Sequence, residues 1–234
     1  GLLIIYKNKF ISQLIENGWH GIAYASVFTI TNIFFVISIE NTTVANTLIM
    51  IALAPMLAAI ISFIFLKENT DQKTWIAISI TTLAVIYIFN DSFEKGDVLG
   101  NFFGLICATG LAVGAVIIRS TKKINLVPSA MMGKLMVALI ALLFADNLVL
   151  KGNDSIIIPL MCIMCVAIPF VLITLAPRYI TAAEVNLFFL LETILGPLWV
   201  WLAIKEQPST ETIIGGIIII ATIATHSVLS LKKT

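Results

Sequence analysis

The chain has 234 residues, of which 59% are hydrophobic and only 12% are charged. Its mean hydropathy of +1.05 exceeds what the core of a soluble domain of this size requires, so the composition indicates a polytopic membrane protein. The formal net charge is +1 and the basic residues are scattered among short loops, which argues against a nucleic-acid partner.

Eight membrane spans are predicted, because about 20 consecutive apolar residues suffice to cross the hydrocarbon core of a bilayer. Residues 1–6 precede these spans as the end of a further helix, and an amphipathic connector follows to about Asn17. Short polar turns separate the spans, which are predicted at residues 19–39, 43–66, 74–89, 98–118, 127–145, 156–176, 181–206 and 212–231.

Several spans carry residues that a purely lipid-facing helix would not favour. Asn32 lies within the first span, so the face that carries it should meet other helices or water. Pro55 should kink the second span. The fourth span carries small residues four positions apart, and these favour close packing within the chain over dimerisation: Gly100, Gly104, Ala108 and Ala112.

The seventh span carries two carboxylates among its apolar residues. At 100° per residue, one face within an arc of about 80° collects both acids and two aromatic residues, Glu184, Phe188, Glu192 and Trp199, and it should point away from lipid. Glu192 lies roughly 17 Å from the start of the span, where a charge costs about 2.5 to 3.5 kcal/mol. Either it lines a functional cavity, or it is protonated or hydrogen-bonded between packed helices.

Other candidate site residues lie nearer the membrane surface. Lys134 lies about 10 Å deep and Glu184 about 6 Å deep, so the two could pair, although the stem of Lys134 could also snorkel to the headgroups. Phe188 and Trp199 could stack on a planar substrate or belong to the interfacial aromatic belt. The CxxC of Cys162 lacks a second pair of zinc ligands, and we expect no metal, no cofactor and no catalytic residues.

The basic residues fall unevenly on the two sides that the alternating loops define. One side collects Lys95, Lys151 and Lys205, whereas the other collects Lys7, Lys9, Lys67, Lys73, Arg119, Lys122, Lys123, Arg178, Lys232 and Lys233. Short loops rich in Lys and Arg stay in the cytoplasm. This bias predicts a cytoplasmic C-terminus, with the acidic loop at residues 90–97 outside.

The helix pattern repeats with a shift of 138 residues, which is the separation of Lys67 and Lys205. The shift divides the chain into a first repeat, residues 1–94, and a second repeat, residues 95–234. The first repeat then lacks its first helix and most of its second, and we expect a parent with five helices in each half. Because five is odd, the two repeats should have inverted orientations, as in many secondary transporters.

Two segments of the chain carry a family resemblance. TTVANTLIMIALAPMLAAIISFIFLKE, and ITAAEVNLFFLLETILGPLWVWLAIKE followed by IIGGIIII, resemble the paired signatures of the EamA-like branch of the drug/metabolite transporter superfamily. The resemblance implies an all-α membrane protein with ten helices in two inverted five-helix repeats around a central cavity that alternates between the two sides. The chain departs from the pattern at Thr193, where the second signature usually has Pro.

The resemblance implies a secondary transporter of the cytoplasmic membrane. We expect this to be a bacterial inner membrane. The substrate would be a small metabolite resembling an amino acid, a nucleoside or a vitamin, with a proton or an ion as the candidate coupling partner. The candidate site residues are Glu192, Glu184, Lys134, Asn32, Phe188 and Trp199. A channel, a structural membrane protein and a membrane-embedded enzyme are the alternative classes, and no pattern in the sequence fixes an oligomeric state.

The loop bias makes a testable prediction about orientation. In intact cells and in an otherwise cysteine-free background, Asp91→Cys should react with an impermeant thiol reagent added outside, whereas Lys122→Cys should react only after permeabilisation. The opposite labelling pattern would invert the orientation.

Overall fold

The computed structural model describes residues 9–42, 44–89, 98–122, 124–145, 152–191, 195, 201–202, 205 and 210–231, and all the regular elements in these residues are helices. The first half contains α1 (Lys9–Glu16), α2 (Gly18–Asn41), α3 (Val44–Ile51), α4 (Ala54–Leu66) and α5 (Gln72–Phe89). The second half contains α6 (Val98–Ser120), α7 (Val127–Leu143), α8 (Asp154–Met161), α9 (Ile168–Leu175), α10 (Ala182–Phe189) and α11 (Thr210–Leu231). The all-α prediction is confirmed.

The apolar helices coincide with the predicted membrane spans. Within the part of the chain that the structure describes, four of them are long and apolar enough to cross a membrane: Gly18–Asn41, Asn46–Leu66, Val98–Ser120 and Asp154–Arg178. Three shorter apolar helices occupy further predicted spans: Gln72–Ile88, Val127–Leu143 and Ile213–His226. The predicted span at residues 181–206 begins as α10, and part of its remainder lies outside the described residues.

Prolines interrupt two of the spans. Proline has no backbone N–H, and its ring clashes with the carbonyl group four residues earlier, which for Pro55 belongs to Ile51. Helix α3 accordingly ends at Ile51, Leu53 bonds back to Met50 with an N–O distance of 3.1 Å, and α4 begins at Ala54. The predicted kink is thereby confirmed. Between α8 and α9, a π-helical turn at Cys162–Ala167 lies between Pro159 and Pro169.

The small residues of α6 pack against the first half of the chain, as predicted. A Cβ atom at Gly100 would lie 2.7 Å from the backbone of Asn41, and one at Gly104 would lie 3.0 Å from Met50 Cβ. Ala108 and Ala112 are fully buried. Close approach to neighbouring helices within the chain therefore accounts for this pattern of small residues.

Polar contacts join the same sets of loops that the charge bias groups together. At one end of the bundle, Arg119 Nε lies 3.1 Å from Glu68 Oε1, and Asn17 Nδ2 donates to Asn125 O at 2.9 Å. At the same end, Thr74 Oγ1 and His226 Nε2 are 2.9 Å apart. The opposite end is joined by other contacts, including Ser38 Oγ to Gly100 O at 2.9 Å and Thr42 Oγ1 to Asn101 Oδ1 at 3.3 Å. Which end faces the cytoplasm stays a prediction.

Several features of the fold agree with the predicted repeat. Helices α3 and α10 begin at Val44 and Ala182, and α5 and α11 begin at Gln72 and Thr210, so both pairs are separated by the predicted shift. The same shift relates the non-glycine residues of the described chain that have positive φ, Lys67 (54°) and Lys205 (66°). The related helices α5 and α11 also pack on each other, and α10 packs on α4, the helix that follows its relative α3. The division at residues 1–94 and 95–234 stays a prediction.

Two glycine substitutions test the packing of α2. A Cβ atom at Gly133 would lie 2.9 Å from both Ala25 O and Phe28 Cδ1, so Gly133→Ala should force α2 and α7 apart and lower the free energy of unfolding by about 1–3 kcal/mol. At Gly114 the added carbon would meet Tyr24 Cε2 at 3.6 Å, an ordinary contact, so Gly114→Ala should not lower stability. Thermal unfolding of the detergent-solubilised variants measures both effects. A midpoint for Gly133→Ala at or above that of the parent would contradict this close approach of α2 and α7.

Candidate functional site

The central cavity lies where α2, α6, α7, α9 and α10 converge, and its volume is about 320 Å³. Most of the lining side chains are aliphatic or aromatic. The aromatic residues of the lining are Tyr24, Phe28, Phe35, Phe170 and Phe189. A space of this size between helices of a bundle is a common place for a small-molecule site.

Two helices provide much of the cavity wall through residues at helical spacing. On α2, the lining residues recur every three or four positions, from Tyr24 through Phe28 and Asn32 to Phe35. On α6, which faces α2, glycines allow the helix backbone to come close to the α2 side chains. A Cβ atom at Gly110 would lie only 2.0 Å from Thr31 Oγ1, so any larger residue at this position would displace the Thr31 side chain.

Lys134 projects from α7 into this cavity, and three groups surround its ammonium. Lys134 Nζ donates to Asn32 Oδ1 at 2.7 Å. It also lies 3.8 Å from the ring centroid of Phe170 and 5.1 Å from that of Phe28. Ring faces attract cations through their quadrupole. The ammonium is therefore held on a neutral, largely aromatic surface.

The partners of Lys134 are themselves fixed. Asn32 Nδ2 donates to Phe28 O at 2.7 Å, which leaves Asn32 Oδ1 directed at the ammonium. The rings of Phe28 and Phe170 meet edge to face, with centroids 5.0 Å apart and planes at 78°. Tyr24 extends the wall beyond Phe28, and its hydroxyl lies 3.4 Å from Thr174 Oγ1. The site is thus assembled from both halves of the chain.

Glu184 lies elsewhere, and the structure does not bring it to Lys134. Its carboxylate accepts hydrogen bonds from Thr181 N and Thr181 Oγ1, both at 2.8 Å, while Glu184 N donates to Thr181 Oγ1 at 3.2 Å. This reciprocal pattern is a capping box at the start of α10. The Thr-x-x-Glu spacing in the sequence is typical of a capping box and could have indicated this role. The suggested pairing with Lys134 is therefore corrected.

Glu184 lines a second cavity, of about 250 Å³, at the end of the bundle where Arg119 and Glu68 meet. Glu68 and Asp71 also border this space. Arg119, the partner of Glu68, also donates from Nη1 to Ile180 O at 3.2 Å. Arg178 also donates to Ile124 O at this end.

The face of α10 that lines the central cavity also differs from the predicted one. Phe189 lines the cavity, whereas Phe188 is 42% exposed and is not among the lining residues. Adjacent residues of a helix point about 100° apart, so an error of one position moves a side chain from the cavity to the outer surface. Glu192 and Trp199 lie outside the described residues.

Phe28 and Phe170 are the functional candidates that the sequence analysis missed. Phe28 precedes Asn32 by one helical turn, so the position of Asn32 could have identified it. Phe170 belongs to α9, and no local pattern links it to α2. Its place beside the ammonium depends on how the helices pack.

Comparisons with known proteins agree with this architecture. The model of the EamA-like transporter family matches residues 1–90 and 98–228. A solved structure titled only "Crystal structure of protein" superposes with a TM-score of 0.77 at 17% identity, over 94% of this chain and 83% of the other. At that identity the likeness concerns the fold alone. No protein of curated function matches the chain.

The apolar helices make the chain an integral membrane protein, and the family match covers most of its length. Members of the matched family are membrane transporters of small molecules. The chain belongs to the EamA-like transporter family.

Proposed function

We propose that the protein is a secondary transporter that carries a small metabolite across the bacterial cytoplasmic membrane by alternating access, with the C-terminus in the cytoplasm. The metabolite would resemble an amino acid, a nucleoside or a vitamin. The observation that carries the proposal is the Lys134–Asn32 pair inside the central cavity. An ionisable residue within a membrane span is costly and usually belongs to a substrate or ion pathway.

The contacts at one end of the bundle support an alternating mechanism. Arg119 and Glu68 belong to opposite halves, and their side chains are 14% and 34% exposed. Partly exposed ion pairs are worth only about 0–1 kcal/mol, so such a contact can open and close in every cycle. Tyr24 and Thr174 form a second polar contact between the halves beside the cavity. Rocking of one half against the other would break these contacts and open the cavity at this end.

Coupling requires a group whose charge changes during the cycle. We propose that Glu192 lines the cavity and either binds a cationic part of the substrate or carries the coupling proton. Its sequence position puts it roughly 17 Å from the start of its span, near the middle of a hydrocarbon core about 30 Å thick. Glu184 is the weaker candidate, because its carboxylate caps α10.

Transport is tested with the purified full-length protein. A metabolite panel is first screened for compounds that raise the midpoint of thermal unfolding, because ligands that bind only the folded state stabilise it. Liposomes loaded with an unlabelled hit should then accumulate the labelled compound transiently by counterflow. Unitary conductance without counterflow would favour a channel, and no counterflow with any hit would refute the proposed transport.

A pair of carboxylate variants tests the coupling group. Glu192→Gln keeps the shape of the side chain and removes its titration, so it should preserve folding and abolish the pH dependence of transport. Glu184→Gln is the matched control, because glutamine can also form a capping box, and its stability and transport should stay at the parental level.

Counterflow at several pH values and thermal unfolding measure these effects. An unchanged rate and pH profile in Glu192→Gln, at parental expression, would make Glu192 a packing residue. Loss of pH dependence in Glu184→Gln, with its stability intact, would instead assign the coupling to Glu184.

A further inference from the structure

We infer that the central cavity selects an organic monoanion, a carboxylate attached to a flat apolar body, and that Lys134 binds the carboxylate. This inference rests on the proposed transport function and narrows its substrate class. Three properties of the cavity carry it: the sign of its charge, the donors that remain on the ammonium, and the shape of the surrounding wall.

Of the two roles proposed for Glu192, carrying the coupling proton leaves its carboxyl group neutral, and the charge of the described wall is then positive and unbalanced. Lys134 is its charged member, and none of the described lining residues is acidic. Within the described part of the chain, the hydrogen bond from Lys134 goes to a neutral amide, and the ion pair observed joins Arg119 to Glu68 at the end of the bundle. A cation in an apolar surrounding is costly unless an opposite charge approaches it. An anionic ligand would supply that charge.

The ammonium keeps donors for such a ligand. A lysine ammonium has three N–H groups, and the hydrogen bond to Asn32 Oδ1 accounts for one of them. The neighbouring polar groups have their own partners. Thr31 Oγ1 donates to Val27 O at 2.7 Å, and Asn32 Nδ2 donates one of its two N–H groups to Phe28 O at 2.7 Å. Lys134 is therefore the principal donor that the described wall offers to an anion.

A single cation favours a carboxylate over a phosphate. A phosphate monoester carries a charge of about −1.5 to −2 near neutral pH, so one ammonium would leave part of that charge unbalanced in a mostly apolar cavity. A carboxylate carries one negative charge and accepts strong hydrogen bonds from an ammonium. The charges of ligand and site then cancel.

The wall around Lys134 suits a flat body. The rings of Phe28 and Phe170 stand at 78° to each other, and Phe189 lines the same space from α10. An aromatic or other planar group can pack against such rings in stacked or edge-to-face contact. The volume of about 320 Å³ suits a small metabolite rather than a large one.

The test uses five compounds that share a phenyl ring and differ in charge. Phenylacetate is the anion, phenylacetamide the neutral analogue, phenethylamine the cation, phenylalanine the zwitterion and phenyl phosphate the dianion. Each is measured with the full-length protein by thermal stabilisation and by competition in counterflow. Phenylacetate should bind best, and the amide should bind at least about tenfold more weakly because the charge-assisted hydrogen bond is lost.

Variants of two lysines connect the charge preference to the site. Lys134→Met keeps a flexible side chain and removes the charge, so phenylacetate should bind at least about tenfold more weakly while phenylacetamide is unaffected. Lys134→Arg keeps the charge and should retain the preference for the anion. Lys122 is exposed in the turn after α6 and does not line the cavity, so Lys122→Met is the matched control and should bind phenylacetate as the parent does.

Each other outcome overturns the inference. Binding of the amide, the amine, phenylalanine or phenyl phosphate equal to or tighter than that of phenylacetate would do so, as would unchanged binding in Lys134→Met or no binding of any probe. The proposed transport would survive these results if a hit from the wider metabolite panel still gives counterflow. Absence of counterflow with every hit is the separate result that would refute transport itself.

Discussion

The close contact of α2 with α6 and α7 governs the rest of the structure. The Thr29 hydroxyl, which donates to Ala25 O at 2.7 Å, also lies 3.1 Å from Gly133 O, an approach that a side chain at Gly133 would not allow because its Cβ atom would meet Ala25 O at 2.9 Å. The same approach carries Asn32 to within 2.7 Å of Lys134. The packing that stabilises the bundle therefore also builds the polar centre of the cavity.

A second constraint is that polar groups in a bilayer must find their partners within the protein. Hydroxyl side chains find such partners within their own helix. Thr109, which is exposed, and Thr222, which is partly buried, donate to the carbonyl groups four residues earlier at 2.8 and 2.7 Å. A threonine hydroxyl can bond to a carbonyl group of its own helix on any face, so a hydroxyl in a span does not identify a cavity. Asn32 is more informative, because its amide group donates locally and still presents an acceptor to Lys134.

The features that the sequence predicted are local ones. Hydropathy located the spans, Pro55 located the break between α3 and α4, and the spacing of Gly100 and Gly104 located a packing face. The candidate site was predicted only in part. Lys134 and Asn32 were identified because each is polar within an apolar segment, a property that needs no knowledge of the neighbouring helices.

What the sequence could not supply is the rotation of each helix within the bundle. Phe170 is one of many aromatic residues in apolar segments, and only packing distinguishes it by bringing its ring 3.8 Å from the ammonium. The choice of Phe189 over Phe188 depends on one residue of rotation, and the position of Glu184 had favoured Phe188. Glu184 indicated the wrong face of α10 because its carboxylate caps the backbone at the start of that helix.

In the proposed transport cycle, the cation in the cavity would make the movement of the site depend on the transmembrane voltage. With a monoanion bound, the charges of ligand and ammonium would cancel, so movement of the loaded site through any part of the electric field would transfer no net charge. While Glu192 stays protonated, the empty site keeps its positive charge, and its return would be worth up to about 2.3 kcal/mol per 100 mV, scaled by the fraction of the field that it crosses. The voltage would thus change the free energy of the step in which the empty transporter returns, and it would not change that of the step that moves the substrate.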